Sequence, residues 1–310
     1  MALQYAEESR VDAYYANEWG ALPVAVKASI RKNQPVTLDL HEYSPEASDA
    51  RWWLFLFAPA IRFFLRKYVP TVSAAITVSP SIAQRYCQTF PRDWLVIRNV
   101  PKYVAAPEKP QKANIQHIRL IHHGAALRNR HLETMIDAIV LCDSRFVLDF
   151  MFIGDPTYIS ELKVYAERVA PNRVHFCEPV SPSQVVVQLT KYDMGFFVLK
   201  PTHYNQIEAL PNKLFDFIGA GLAVCIGPSP AMAEIVNRYE VGCVAPTFNP
   251  SDVAATLNNL TSEQILSMQQ SSRLAAKELN ADVEMGTLVD LYQRLLAEDH
   301  ASNTSRNPIS

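Results

Sequence analysis

Short apolar runs alternate with longer amphipathic stretches along almost the whole chain, which limits the fold to α/β with parallel sheets. In the first third, Val36-Thr-Leu-Asp-Leu40, Ala74-Ala-Ile-Thr-Val78 and Trp94-Leu-Val-Ile97 read as strands separated by helical stretches. Residues 102–114 then carry no apolar period, and two prolines make them the best linker in the sequence. Beyond them the alternation restarts. Strands are expected at Ile118–Ile121, Phe146–Ile153, Val174–Phe176, Met194–Leu199, Leu222–Ile226 and Val241–Val244, a full doubly wound set. A length of 310 residues suits roughly two domains. The expected division is a partial first domain at 1–101, a linker at 102–114, and a complete second domain at 115–284. A helix at 285–299 is expected to pack back on the first domain, with a disordered tail at 300–310.

Glycine is distributed unevenly. Of nine glycines, only Gly20 precedes Gly124. A doubly wound nucleotide fold places glycine in its first strand-to-helix turn, so the second domain has such a turn and the first lacks one.

The formal charge of −2 gives no reason to expect a nucleic-acid partner, which calls for a basic excess. The five cysteines form no Cys-x-x-Cys pair and no zinc-like cluster, so they read as small buried hydrophobes and no metal site is expected. The first ten residues show neither a basic n-region nor an apolar h-region, and no secretory signal is read there; a cytoplasmic protein is expected. Residues 52–68 are aromatic and aliphatic, but Pro59 and Arg62 interrupt them well short of the roughly 20 apolar residues of a spanning helix. Two readings stay open for this segment. It covers the first sheet, or it rests against anionic lipid through Arg51, Arg62, Arg66 and Lys67 at the inner face of a membrane.

Two stretches carry candidate chemistry. In Ile121-His-His-Gly-Ala-Ala-Leu-Arg-Asn-Arg-His-Leu-Glu-Thr-Met135 a strand ends at Gly124, and Arg128 and Arg130 fall at the mouth of a helix. Helix-start amides and arginines suit a diphosphate, although solvated loop arginines would look the same. In Asn205-Gln-Ile-Glu-Ala-Leu-Pro-Asn-Lys-Leu-Phe-Asp-Phe-Ile-Gly-Ala-Gly221, Pro211 ends one segment and Asn212-Lys213 opens a helix with Leu214, Phe215 and Ile218 as its buried stripe. Glu208 then lies in the loop and Asp216 on the helix, where each reads either as a sugar or ribose ligand or as a surface charge. His122 and His123 read as strand-end packing.

Leu210-Pro-Asn-Lys-Leu-Phe-Asp-Phe-Ile-Gly-Ala-Gly-Leu-Ala-Val224 resembles the donor-site signature of the retaining, two-Rossmann-domain (GT-B) glycosyltransferases often called group 1 or family 4-like. Gly124–Ala138 resembles that group's diphosphate loop. Asp39-Leu-His-Glu-Tyr-Ser-Pro-Glu46, Ile76-Thr-Val-Ser79 and Val96-Ile-Arg-Asn-Val-Pro101 resemble landmarks of its first domain, in the same order. The resemblance implies a transferase that moves a sugar from a nucleoside diphosphate sugar to a glycan or lipid-linked acceptor hydroxyl, with retention, in glycan or polysaccharide synthesis. It implies Gly124, Arg128, Arg130, Leu210, Asn212, Lys213 and Asp216 at the donor, Glu208 near the donor sugar, and His41 at the reaction centre. It implies no metal or other cofactor, and the chain has no Asp-x-Asp motif. Ala125 stands where the group often has arginine, leaving Arg128 to supply that charge. Tyr14–Val26 resembles the group's fourth strand and helix, so three strands and a glycine-rich loop are expected to be missing before it. Two rivals follow: a non-catalytic nucleotide-sugar-binding remnant, and a nucleotide-sugar epimerase of the same architecture.

Overall fold

The computed structural model describes residues 1–31, 33–48, 50–105 and 117–306, and the chain divides into two compact units. The first gathers Met1–Arg98, Thr202–Ala209 and Val283–Ser310; the second gathers Asn99–Pro201 and Leu210–Asp282. Of the expected linker, residues 106–114 lie outside the described residues, as do 307–310 of the expected tail.

The first unit is built on four parallel strands, β1 (Tyr14–Asn17), β2 (Val36–Leu40), β3 (Ala74–Thr77) and β4 (Leu95–Val96), in that order across the sheet. Every residue of β2 is buried, as a parallel strand covered on both faces requires. Leu38 and Leu40 join Leu22 and Val26 of the helix Glu18–Ile30, and Ile61 and Leu65 of the helix Ala58–Tyr68, in one core. The closing helix Ala281–Arg306 adds Leu291 to a smaller cluster with Ala74, Ile76 and Ile97. Arg98 fixes its start: the backbone N–H and Nη1 of Arg98 each donate to the buried Glu284 carboxylate at 2.9 Å. Removing one partner would leave a buried charge unmatched, at a cost of about 3–5 kcal/mol.

Thr202–Ala209 belong to the same unit although their sequence neighbours do not. Buried Asn205 accepts from Tyr43 N (2.8 Å) and donates to Tyr43 O (3.2 Å) and Glu46 O (3.1 Å). Arg85 lies over the rings of both Tyr43 and Tyr204 and pairs with Glu46 at 2.9 Å.

The second unit is a doubly wound sheet of six parallel strands: β5 (Ile118–Ala126), β6 (Phe146–Gly154), β7 (Val174–Cys177), β8 (Met194–Phe197), β9 (Ala223–Ile226) and β10 (Gly242–Val244). Their order is β10-β9-β8-β5-β6-β7, so the winding direction reverses between β5 and β8. Ligands bind beyond the carboxyl ends of the strands at such a reversal. β5 runs five residues past the expected end at Ile121, because His122–Ala126 keep pairing with Phe150–Gly154 of β6.

The helix Asn212–Gly219 is seated at that reversal. Leu214, Phe215, Phe217 and Ile218 are essentially fully buried. Phe217 reaches β8 only because residue 195 is glycine: a Cβ there would sit 2.2 Å from the Phe217 ring. Lys213 and Asp216, three residues apart, share the remaining face.

All five cysteines are free; Cys142 and Cys225 are buried, Cys177 and Cys243 half-buried, and Cys87 exposed. No described helix is long and apolar enough to cross a membrane.

Candidate functional site

The end of β5 brings a glycine backbone against a lysine amine. Gly124 has φ +117°, and a Cβ at that position would fall 2.9 Å from Lys213 Nζ. Only glycine allows both the backbone conformation and the approach of the amine. The chain then passes through the one-turn helix Arg128–Arg130 and left-handed His131 (φ 48°) into the helix Glu133–Leu141. Arg130 is half-buried here, and burial pulls its guanidinium below the ordinary arginine value.

Lys213 lies over the Phe197 ring at 5.1 Å. Burial first, and the like charge of Arg130 second, bring its amine down to about 8, with Asp216 opposing. Among the described residues, neither the Lys213 amine nor the Arg130 guanidinium has a hydrogen-bond or ion-pair partner. These are two partly buried like charges with no ion-pair partner, and Asp216 only partly offsets them.

Asp216 lines a crevice of about 680 Å³ together with Asn212, Val186, Ser183 and the segment Asn99–Val104. Burial raises its carboxyl to about 7, and Lys213 opposes the rise. His123 Nε2 stands 3.5 Å from Asp216 Oδ2. Burial and Lys213 depress His123 to about 3, so its imidazole is neutral and the contact is not an ion pair. Its Nε2 has no hydrogen-bond partner. His122 is buried deeper, with Nδ1 2.8 Å from Phe196 O, and burial pushes its pKa well down. It is a packing residue within the aromatic layer of Phe150, Phe152 and Phe197.

Arg128 is placed differently from Arg130. Its two terminal nitrogens donate to the Glu161 carboxylate at 2.6 and 2.8 Å, and the guanidinium lies 4.7 Å from the Tyr158 ring centroid. It is exposed and already engaged. The structure therefore brings Gly124, Arg130, Asn212, Lys213 and Asp216 to one end of the second sheet, leaves Arg128 on the outer surface, and buries Leu210 in the core.

In the first unit, the end of β2 carries a separate proton-holding group. Tyr15 donates its hydroxyl to the Asp39 carboxylate, and His41 Nε2 lies 3.1 Å from Asp39 Oδ2. The contact with Asp39 raises the His41 pKa against a smaller opposing effect of burial. Glu18, at a left-handed φ of 66°, accepts the His41 backbone N–H at 3.1 Å. Burial raises the pKa of both Glu18 and Glu42. Glu208 also belongs to this unit, at the carboxyl end of the short helix Tyr204–Ile207 that Asn205 holds in place.

The chain superposes over 97% of its length on HepE of Anabaena in complex with UDP, covering 80% of that chain at 18% identity and a TM-score of 0.72. It is similar to TarM, known from S. aureus, over 95% of this chain and 57% of that one, at 13% identity and a TM-score of 0.73. A glycosyltransferase from Rickettsia africae aligns over 95% and 79% respectively, at 12% identity and a TM-score of 0.69. The fold is GT-B. No protein-family profile and no curated sequence matches this chain.

The sequence reading of Arg128 as a free loop charge did not include its pairing with Glu161, and that of His123 did not include its contact with Asp216. An apolar strand running into Gly124 gives no sign that the imidazole will face a carboxyl ninety-three residues further along the chain. The Arg128–Glu161 pair depends on a residue inside the helix Pro156–Val169, which no local motif reports. Asp39 and Glu18 were also missed as partners of His41. The Asp-x-His spacing at a strand end was the available signal, since two residues apart on a strand share a face.

Proposed function

We propose that this chain is a glycosyltransferase that moves a sugar from a nucleoside diphosphate sugar to an acceptor hydroxyl, with retention of anomeric configuration. The observation that carries the reading is the unpartnered pair Lys213 and Arg130 beside Gly124 at the strand-order reversal. A diphosphate supplies the negative charge this pocket lacks and lifts the Lys213 amine back toward its ordinary value. Asp216, on the same helix as Lys213, is assigned the ribose hydroxyls. Solved GT-B structures with UDP or UDP-glucose bound support a nucleotide-sugar donor.

In the reaction, the bond between the sugar's anomeric carbon and the diphosphate oxygen breaks, the acceptor oxygen bonds to that carbon on the same face, and the acceptor proton passes to the departing diphosphate. As the donor bond breaks, negative charge grows on the diphosphate oxygen. Lys213 and Arg130, fixed before the reaction starts, neutralise it. The neutralising charge comes from side chains, so this scheme needs no metal. His41, held by Asp39, is assigned to the reaction centre and Glu208 to the donor sugar. The acceptor is a glycan or lipid-linked hydroxyl, which places the enzyme in polysaccharide or glycan synthesis.

Titration calorimetry with uridine, guanosine and adenosine diphosphates tests the donor site directly. At least one is expected to bind, with Arg130→Ala weakening it by about 1.5–3 kcal/mol, as for a charge-assisted hydrogen bond. Absence of binding by all three at millimolar concentration would overturn the assignment. A screen of nucleotide sugars for hydrolysis or transfer then identifies the donor.

A further inference from the structure

The segment that follows the first unit's Ser44–Glu46 turn is helical over 51–68, with a π-helical stretch, Trp53–Phe57, before the α-helix Ala58–Tyr68. Ala58, Ile61, Leu65 and Tyr68 are buried at helical spacing, and the last three join the unit's core. The opposite stripe is apolar as well. Phe55 is 80% exposed, Phe63 62%, Leu56 59% and Trp52 58%. Trp52, Leu56, Pro59 and Phe63 follow each other at intervals of four, three and four residues, which is one continuous face of a helix. A soluble surface normally scatters its exposed apolar residues; a stripe of this kind marks a surface meant to be covered.

The polar groups at the margins of the stripe are all cationic. From Arg51 to Tyr68 the chain holds Arg51, Arg62, Arg66 and Lys67 and no acidic residue. Arg51, Arg66 and Lys67 are exposed, whereas Arg62 faces Glu46 at 3.7 Å. The aromatic anchors are braced from below: Trp53 stacks on Phe57 with centroids 5.0 Å apart, and Trp52 meets Phe57 edge-on at 5.7 Å. An isologous contact with a second copy would set one group of four cations against another, which costs energy. An anionic bilayer offers the reverse. Its headgroups attract the cations, and its interfacial zone accepts tryptophan and phenylalanine side chains.

We infer that the face formed by Trp52, Phe55, Leu56 and Phe63, rimmed by Arg51, Arg66 and Lys67, docks this protein on the surface of an anionic lipid bilayer. The helix lies in the plane of the membrane, with its inner stripe remaining in the protein core. This surface is independent of the diphosphate pocket, so either assignment can fail alone.

Co-sedimentation of the full chain with phosphatidylcholine vesicles, with and without 30% phosphatidylglycerol, tests the inference. Binding is expected to the phosphatidylglycerol vesicles and is expected to fall as salt rises. Arg66→Gln/Lys67→Gln should weaken it by roughly 30-fold, since each interfacial cation contributes about a factor of five. Phe55→Ser/Phe63→Ser should abolish sedimentation while nucleoside diphosphate affinity and the thermal melt stay unchanged, because both side chains point to solvent. Three outcomes would overturn the inference: no binding to either vesicle, equal binding to both that ignores the lysine and arginine changes, or a concentration-dependent dimer that Phe55→Ser/Phe63→Ser dissolves.

Discussion

The two units each end a parallel strand in a cluster of titratable side chains, but the clusters are satisfied in opposite ways. At the end of β2, Asp39 is matched internally, receiving the Tyr15 hydroxyl and the His41 imidazole. At the end of β5, the Lys213 amine lies against the Gly124 backbone and repels Arg130, and neither side chain has a hydrogen-bond or ion-pair partner among the described residues. The first cluster is internally paired. The second holds two cations without an ion-pair partner, the feature on which the proposed anion site rests. On the proposed reading, the charge of a ligand, more than the shape of the crevice, is what the second unit would select.

The contrast breaks if the cationic pair is dispensable. Lys213→Met keeps most of the side-chain volume and removes the charge, and is expected to cost about 3 kcal/mol of nucleoside diphosphate affinity by calorimetry, the upper end for a charged hydrogen bond. Arg130→Ala should cost somewhat less, about 2 kcal/mol, because its guanidinium is less deeply held. His41→Ala should leave the same affinity unchanged while lowering transfer. If His41→Ala weakens the diphosphate as much as Lys213→Met does, the division of labour between the clusters is wrong.

Much of this was legible from the residues alone, and the reasons are local. Gly124 announced itself because a positive φ at a strand end needs glycine. Lys213 and Asp216 were legible because Pro211 sets the helix start and the apolar stripe fixes which face they share. The grouping of Thr202–Ala209 with the first unit was not legible, since Asn205 finds its partner Tyr43 162 residues away. The outward face of residues 52–68 was open for a related reason. An apolar residue in a sequence does not say which side of its helix the core will take, and here Ile61 and Leu65 are covered while Phe55 and Phe63 are not.

The pH dependence of binding sharpens the contrast further. Lys213 in the empty pocket titrates near 8, and a bound diphosphate raises that value. Affinity is therefore held below pH 8 and lost above it, by up to about tenfold per pH unit, as free Lys213 gives up its proton. Asp216 titrates near 7, and if its carboxylate accepts the ribose hydroxyls, affinity falls as pH drops through 7. A bell with its maximum between these values is expected, and Asp216→Asn should remove only the acidic flank. A flat profile from pH 6 to 9 would mean that neither group touches the ligand. In the first unit, Asp39→Asn should let the His41 pKa fall toward the ordinary imidazole value, read from its ring proton shifts, because the contact with Asp39 is the main cause of its rise.

The smallest expected effect separates two arginines in a single turn. Arg128 and Arg130 are two residues apart and carry the same charge, so a ligand drawn by net potential alone would respond to both. The structure gives Arg128 a bidentate carboxylate partner in Glu161 and an aromatic platform in Tyr158, and leaves Arg130 without either. An exposed guanidinium already paired in this way is screened by water and by its own counter-charge. Arg128→Ala is accordingly expected to leave diphosphate affinity unchanged within error at physiological salt, beside the clear loss in Arg130→Ala. Comparable losses in both variants would mean that Arg128 leaves Glu161 to reach the ligand, and the turn would have to be redrawn as a two-arginine clamp.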